Sequence, residues 1–255
     1  MVRPFILITN DDGINAPSLL PLKLALAEIG DVAVIAPEHD WSAAGHSRTM
    51  HKPLRVRPVK LADGSDALVS NGSPSDCVAL ALLGLLERRP DLTVSGINLG
   101  ANVGQDITYS GTVAAAMESV IGGISAIAVS VDSYEPGDFG PVARFVARLA
   151  GHVLSITQDE PLLLNVNVPA LPEGAIKGVQ ITRMGRRIYR DTLIRRADPR
   201  GRAYYWIGGE PPTGLPEEGT DIGALAQGYI SVTPILLDLT DYAKLALLRA
   251  WKLTL

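Results

Sequence analysis

Two aspartates stand side by side, Asp11 and Asp12, in the stretch LITNDDGINAPS at 7–18. Adjacent carboxylates repel each other, and a simple turn before Gly13 needs only one. Either this is an acidic surface turn in which Gly13 supplies an unusual backbone angle, or the pair is a hard oxygen site suited to Mg²⁺ or Mn²⁺. A second stretch, PEHDWSAAGHSRT at 37–49, brings small residues that let a backbone approach a ligand. Ser42 adds a neutral oxygen, and His39 and His46 are candidate metal ligands or acid–base groups. Their seven-residue separation is no zinc spacing, and no cysteine supports one. The bland alternative for this segment is a polar surface loop.

The densest stretch is SGINLGANVGQDITYSGT at 95–112, with glycines at 96, 100, 104 and 111 around Asn98 and Asn102. It runs into Ser110-Gly111-Thr112 just before an Ala-rich segment. Backbone N–H groups at a helix N-terminus, aided by the helix dipole, form a seat for phosphate. The stretch lacks the GK[ST] of a P-loop and is not the dinucleotide GxGxxG. A glycine loop this long without a task would be unusual. Further on lies an arginine group: Arg183, Arg186, Arg187, Arg190, Arg195, Arg196, Arg200 and Arg202. It reads as a solvated or subunit-contacting face, or as a surface that attracts a polyanion.

The elements that must hold these residues alternate between strand and helix. FILIT (5–9), DVAVIAP (31–37), DLTVSG (91–96), SAIAVSV (125–131) and PLLLNVNV (161–168) are apolar strands. LRVRPV (54–59) and ALVSN (67–71) bracket a hairpin about Asp63-Gly64. Helices are expected near 17–29, from Pro74 with Ser73 as cap and Asp76 closing a capping box, over 112–123 and near 138–156. Strands apolar on both faces and separated by helices indicate a parallel sheet covered on both sides. In such sheets ligands bind beyond the carboxyl ends of the strands. Asp11 and Asp12 sit at one such end, and Ser95 to Asn98 at another.

After about residue 170 the pattern changes. GVQITRM, RAYYWIG and GYISVTPILLDL read as strands with no convincing helix between them. DPRG (198–201) reads as a hairpin tip, and PPTGLPEEGTD (211–221) as a loop. A last helix begins near Thr240-Asp241 and runs toward Leu253. The expectation is therefore an α/β protein: a catalytic core over 1–170, and over 171–255 a β-rich extension with a terminal helix used for oligomerisation.

Composition bounds the function. The 255 residues are 47% hydrophobic and 20% charged, so a buried core is expected. A formal net charge of −4 argues against a stable nucleic-acid partner. The lone Cys77 sits in an apolar run and reads as a buried, reduced thiol. The longest apolar run, CVALALLGLL at 77–86, is about half of a bilayer span. No signal peptide is evident, and a cytoplasmic protein without a membrane partner is expected.

Three stretches in this order, NDDGINAP, SAAGHS and SGINLGANVGQDITYSGT, resemble the SurE family, the stationary-phase survival protein E phosphatases. GSPSDCV (72–78), NVNVP and GYISVTPI fit the same family, and residues 183–221 fit it least. The resemblance implies a Rossmann-like three-layer α/β/α core with a β-hairpin extension and a C-terminal segment exchanged between subunits of a homodimer or homotetramer. It also implies metal-dependent hydrolysis of nucleoside 5′- and 3′-monophosphates, with polyphosphate trimming in some members. By the same resemblance the metal ligands would be Asp11, Asp12, Ser42 and Asn98, holding one Mg²⁺ or Mn²⁺ per subunit.

Asp11, Asp12 and Asn98 are then the expected catalytic residues. Asn10, Gly45, Asn102, Ser110, Gly111 and Thr112 form the expected phosphate-binding set. Two rivals stand beside this reading. A receiver-like phosphoacceptor domain also pairs acids after its first strand, but needs a further Asp where DLTVSG ends in Ser95-Gly96. The other rival is a non-enzymatic nucleotide-binding or interaction protein.

Overall fold

The computed structural model describes residues 3–156, 160–251 and 253. In chain order its core elements are β1 (Phe5–Thr9), α1 (Leu19–Ala27), β2 (Asp31–Pro37), β3 (Val56–Lys60), β4 (Asp66–Ser70) and α2 (Pro74–Leu80). Next come β5 (Leu92–Leu99), α3 (Gly111–Ile121), β6 (Ala126–Asp132), α4 (Gly140–Ser155) and β7 (Leu163–Pro169). The remainder is β8 (Val179–Ile181), β9 (Arg187–Ala197), β10 (Ala203–Gly214), α5 (Asp221–Ala226), β11 (Ile230–Pro234) and α6 (Tyr242–Ala250).

Nine strands form one sheet in the order β3-β4-β2-β1-β5-β6-β7-β11-β8. Its centre is parallel; β3 against β4 and β11 against β7 are the antiparallel pairs. Strand alternation sorts the core. Ile6, Ile8, Val34 and Val129 turn to the face covered by α1 and α4. Leu7 and Ile35 turn to the other face, against Cys77 and Val78 of α2 and Ala115 of α3. Both faces are buried, which is the three-layer α/β/α arrangement expected from unbroken apolar strands. From β1 the chain builds outward first through β2 and then, on the other side, through β5. The strand order therefore reverses at β1/β5, where open α/β sheets form a crevice.

Several boundaries differ from the sequence reading. β5 continues through Gly96 to Leu99, so Asn98 belongs to the strand rather than to the loop after it. Gly96 permits this: its φ of 137° is open to glycine, and a Cβ there would come 2.8 Å from a Val129 side-chain carbon. α2 has the expected capping box but gives way after Leu80 to a wider turn over Ala81–Leu85, broken by Gly84 at φ 107°. The stretch 211–221 is not wholly loop. Residues 211–214 end β10, with Pro211 and Pro212 tolerated where the β9–β10 register slips between Glu210 and Thr213. Asp221–Ala226 is a short helix that the sequence reading missed. Thr220 caps it, its side chain accepting from the Gly223 amide at 3.0 Å.

Candidate active site

The sheet ends its central strands at the crevice, and local backbone bonds shape what lies there. Asn10 is fully buried, and its amide closes the acidic turn: it donates to Gly13 O at 2.9 Å and accepts from the Gly13 N–H at 3.2 Å. Gly13 has φ 93°, and a Cβ there would come 3.2 Å from Pro37 O. The turn is thereby locked against the end of β2, and Ile14 N donates to that same Pro37 O.

Asp11 is 4% exposed. Its Oδ1 accepts from the Thr112 hydroxyl at 2.6 Å. A Cβ on Gly111 would lie 2.7 Å from Asp11 Cβ and 2.9 Å from Oδ2. Glycine at 111 is what lets the first turn of α3 close on the carboxylate. Burial pushes the Asp11 carboxyl up, against the opposing bonds from Thr112. Asp12 is half-buried and makes no side-chain hydrogen bond among the described residues. Burial first, then repulsion from Asp11 and Asp40, pushes its carboxyl up to about 7. Two desolvated carboxylates thus share a strand end, and among the described residues no cationic side chain pairs with either.

A cavity of about 420 Å³ opens here. Asp11, Ser42, Asn98, Asn102 and Ser110 all line it. The Asn98 amide nitrogen donates to Gly100 O at 2.8 Å, which leaves its carbonyl oxygen as the end available to a cation. The Ser42 hydroxyl donates to Asp40 Oδ1 at 2.6 Å and keeps its lone pairs. Two carboxylates, a hydroxyl and an amide oxygen make a hard oxygen donor set. Among the described residues no group of three His, Cys, Asp or Glu competes with it as a metal cluster. A groove of about 560 Å³ beside Leu19–Pro21 is larger but has no carboxylate in its lining.

The expected phosphate residues divide. Ser110 caps α3, its Oγ accepting from Val113 N at 3.1 Å, so its hydroxyl proton is left to donate. Asn102 reaches the cavity from a frame of buried amides: its N–H donates to Asn167 Oδ1, its side chain donates to Ser130 Oγ, and its carbonyl accepts from Asn165 and Asn167. Gly45 does not line the cavity. At φ 61° it donates to Tyr109 O at 2.9 Å and stitches its loop to the segment before α3. Asn10 and Thr112 are fully buried, with side chains committed to the turn and to Asp11. His39 is exposed and lies outside the lining.

The sequence reading missed several lining residues: Asp106, Tyr109, Tyr134 and Pro212, with Arg187 counted only as one of the arginine group. Asp106 and Tyr109 stood inside the quoted glycine stretch. Nothing local marks Tyr134, whose ring reaches the site by lying over Gly100. Arg187 departs from the other arginines because its Nε donates to Asp106 Oδ2 at 2.5 Å in a largely buried pair.

With this geometry in view, the comparisons with known proteins agree. The family model described as "Survival protein SurE" matches residues 6–191. The chain belongs to the SurE family. It is 55% identical over 238 residues to a protein of Herpetosiphon aurantiacus named 5'-nucleotidase SurE, covering 92% of this chain and 93% of that one. A protein of the same name from Chloroflexus aggregans is 52% identical over 250 residues, covering 97% and 99%. The crystal structure of the SurE protein from Aquifex aeolicus superposes with a TM-score of 0.82 at 40% identity, over 97% of this chain and 99% of that one. Among the described residues no helix is long and apolar enough to cross a membrane.

Proposed function

We propose that the chain is a divalent-metal-dependent phosphomonoesterase that hydrolyses nucleoside 5′-monophosphates. The observation that carries this is the desolvated Asp11–Asp12 pair at the strand-order reversal, with Asp11 lining a cavity in which the one cation among the described residues, Arg187, is already paired with Asp106. Relatives more than half identical over nearly their whole length bear the name 5'-nucleotidase. Asp11, Asp12, Ser42 and Asn98 would hold the ion, Mg²⁺ or Mn²⁺ by donor type. When bound it would supply positive charge to the phosphoryl oxygens and make a water more acidic.

The chain's own residues do the rest. The Ser110 hydroxyl and the Gly111 amide, at the N-terminus of α3, donate to non-bridging phosphate oxygens as charge redistributes. The second N–H of the Asn102 side chain points the same chemistry at the phosphate from the opposite strand end. The Asp12 carboxylate takes a proton from the attacking water as the phosphorus–oxygen bond to the nucleoside breaks in line, and the leaving oxygen takes a proton from solvent and departs as the alcohol. Thr112 and Asn10 act one step back, fixing Asp11 and the turn.

Activity toward nucleoside 5′- and 3′-monophosphates, short polyphosphate and p-nitrophenyl phosphate, with chelator and with added Mg²⁺ or Mn²⁺, tests the reading. Turnover that appears only with metal supports it. Stoichiometric labelling by acetyl phosphate without turnover would favour the phosphoacceptor instead.

We also propose that, within residues 171–255, the β9–β10 hairpin and α6 serve assembly with further copies of this chain, while β8 and β11 complete the core sheet. The support is apolar surface left open there: Leu239, Leu247 and Trp251 around α6, and Leu193 and Ile207 on the hairpin. Light scattering on the whole chain and on a truncation after Asp238 checks this: the truncation should lose the native assembly.

A further inference from the structure

The loop carrying Ser42 is exposed, yet a metal ligand has to be held still. The loop lacks regular structure between Pro37 and Val56, so its position depends on the bonds that tie it down. Two are backbone bonds to the site itself: Trp41 N to Asp11 O and Gly45 N to Tyr109 O, both 2.9 Å. Beside a bond from the Ser73 hydroxyl to Ser47 O at 2.8 Å, a further group converges on two acidic side chains of the helical layer. Glu118 of α3 is 9% exposed. One of its carboxylate oxygens lies 3.0 Å from His46 Nε2, and the other accepts from Arg48 Nη1 at 2.6 Å. The Arg48 Nε stands 3.5 Å from Asp76 Oδ1. Asp76, 1% exposed, also accepts from the Thr49 amide at 3.0 Å. The bond from His46, with Arg48 beside it, holds the Glu118 carboxyl below the usual range.

We propose that Glu118 is a positioning residue that latches the Ser42 loop to α3, so that one rigid helix fixes both Asp11 and Ser42. The helix grips Asp11 with Gly111 and Thr112 at its first turn. It grips the loop with Glu118, about 9 Å further along at 1.5 Å per residue. The separation of the two proposed ligands is then set by covalent helix geometry rather than by a flexible loop. His46, a candidate metal ligand or acid–base group by its sequence, thereby acts through Glu118 and not on the substrate. Changing groups that orient metal ligands commonly costs about 10- to 100-fold in metal affinity or activity.

The inference rests on Ser42 being a ligand, and the experiment separates the two. Mn²⁺ binding is measured by calorimetry on the full chain without substrate. Turnover of p-nitrophenyl phosphate is followed against Mn²⁺ concentration, and the melting temperature is recorded in chelator. Glu118→Gln keeps shape and removes charge; Arg48→Met alters the loop side only, where the arginine is 41% exposed. In both variants the Mn²⁺ dissociation constant and the half-activating concentration should rise about tenfold, with kcat at saturating metal held within about threefold. Ser42→Ala should weaken Mn²⁺ similarly, and the Glu118→Gln/Ser42→Ala double variant should lose no more than Ser42→Ala alone. A lowered melting temperature with unchanged Mn²⁺ affinity in both variants would make the network merely structural and overturn the latch. Fully additive losses in the double variant would overturn it too, since Glu118 would not act through Ser42. A wild-type chain that neither binds Mn²⁺ nor turns over phosphomonoesters would overturn the proposed function, and the latch with it.

Discussion

The strand-end site and the arginine hairpin hold charge in opposite ways. At the site one carboxylate is buried and its neighbour half-buried, both where β1 ends beside β5, and among the described residues no cationic side chain pairs with either. On β9 and β10 the charges are numerous but stand in solvent. Arg190 pairs with Glu210 at 3.4 Å with both side chains more than half exposed, and Arg202 pairs with Asp198 at 3.3 Å along the tip. Exposed pairs of this kind contribute little, because water and salt already solvate each partner. A desolvated charge without a partner is costly and persists only where something else will offset it. By count of charges the hairpin is the more conspicuous region; by physical cost the site is.

The largest test of that contrast removes the costly charge. Asp11→Asn and Asp12→Asn should each lower kcat for AMP by more than about a hundredfold and weaken Mn²⁺ binding. Their melting temperatures in chelator should equal or exceed wild type. The sign follows from the raised carboxyls: a group harder to ionise in the fold than in the unfolded chain destabilises the fold once it is charged, so neutralising it helps. Either variant turning over at near wild-type rate would break the comparison. Gly111→Val should also abolish turnover, because its Cβ would sit within 2.9 Å of the Asp11 carboxylate and displace it. Thr112→Val keeps shape and removes only the hydroxyl bonded to Asp11. A loss of about tenfold to a hundredfold in kcat/KM is expected, equal for AMP and p-nitrophenyl phosphate, because the bond acts on the carboxylate and not on the nucleoside. A loss confined to the nucleotide would move this loop into the nucleoside pocket.

The sequence made these residues legible where chemistry and strand periodicity coincided. FILIT followed by Asp-Asp-Gly locates the acids at a strand end, and the glycine stretch before TVAAA locates the helix N-terminus. What local pattern could not supply was pairing across distance. Thr112 reads as a phosphate contact until β1 and α3 are packed, when its hydroxyl meets Asp11, 101 residues away. Asn10 reads as another polar site residue, but the Gly13 backbone consumes both ends of its amide. The apolar run DLTVSG stops at Gly96, which leaves Asn98 at the strand end by sequence; β5 passes through Gly96 and includes Asn98. The helix at Asp221 was hidden in a Gly/Pro-rich context, and its first residue does tertiary work. The fully buried Asp221 carboxylate accepts from the Gly104 amide at 2.8 Å and the Gly185 amide at 2.7 Å, tying the glycine loop to the base of the hairpin.

That tie sharpens the comparison inside the hairpin itself, since one of its arginines behaves like a site residue. Arg187 is 15% exposed, pairs with Asp106 at 2.5 Å and lines the cavity with Pro212. Its N–H also donates to Gln105 Oε1 at 2.9 Å. Arg187→Ala leaves a largely buried Asp106 carboxylate without its cation and opens one wall of the cavity. A drop of about tenfold in kcat/KM for AMP is expected, together with a lower melting temperature. Arg195 and Arg196 face each other's neighbours across the ribbon, opposite Tyr205 and Tyr204, and stay in solvent. Replacing both by alanine removes two charges of the same kind as Arg187 at no buried partner's expense. Turnover should remain within about twofold of wild type at moderate salt. If the double variant instead lost as much as Arg187→Ala, then exposed positive charge, not buried pairing, would govern how this molecule handles its anionic substrate.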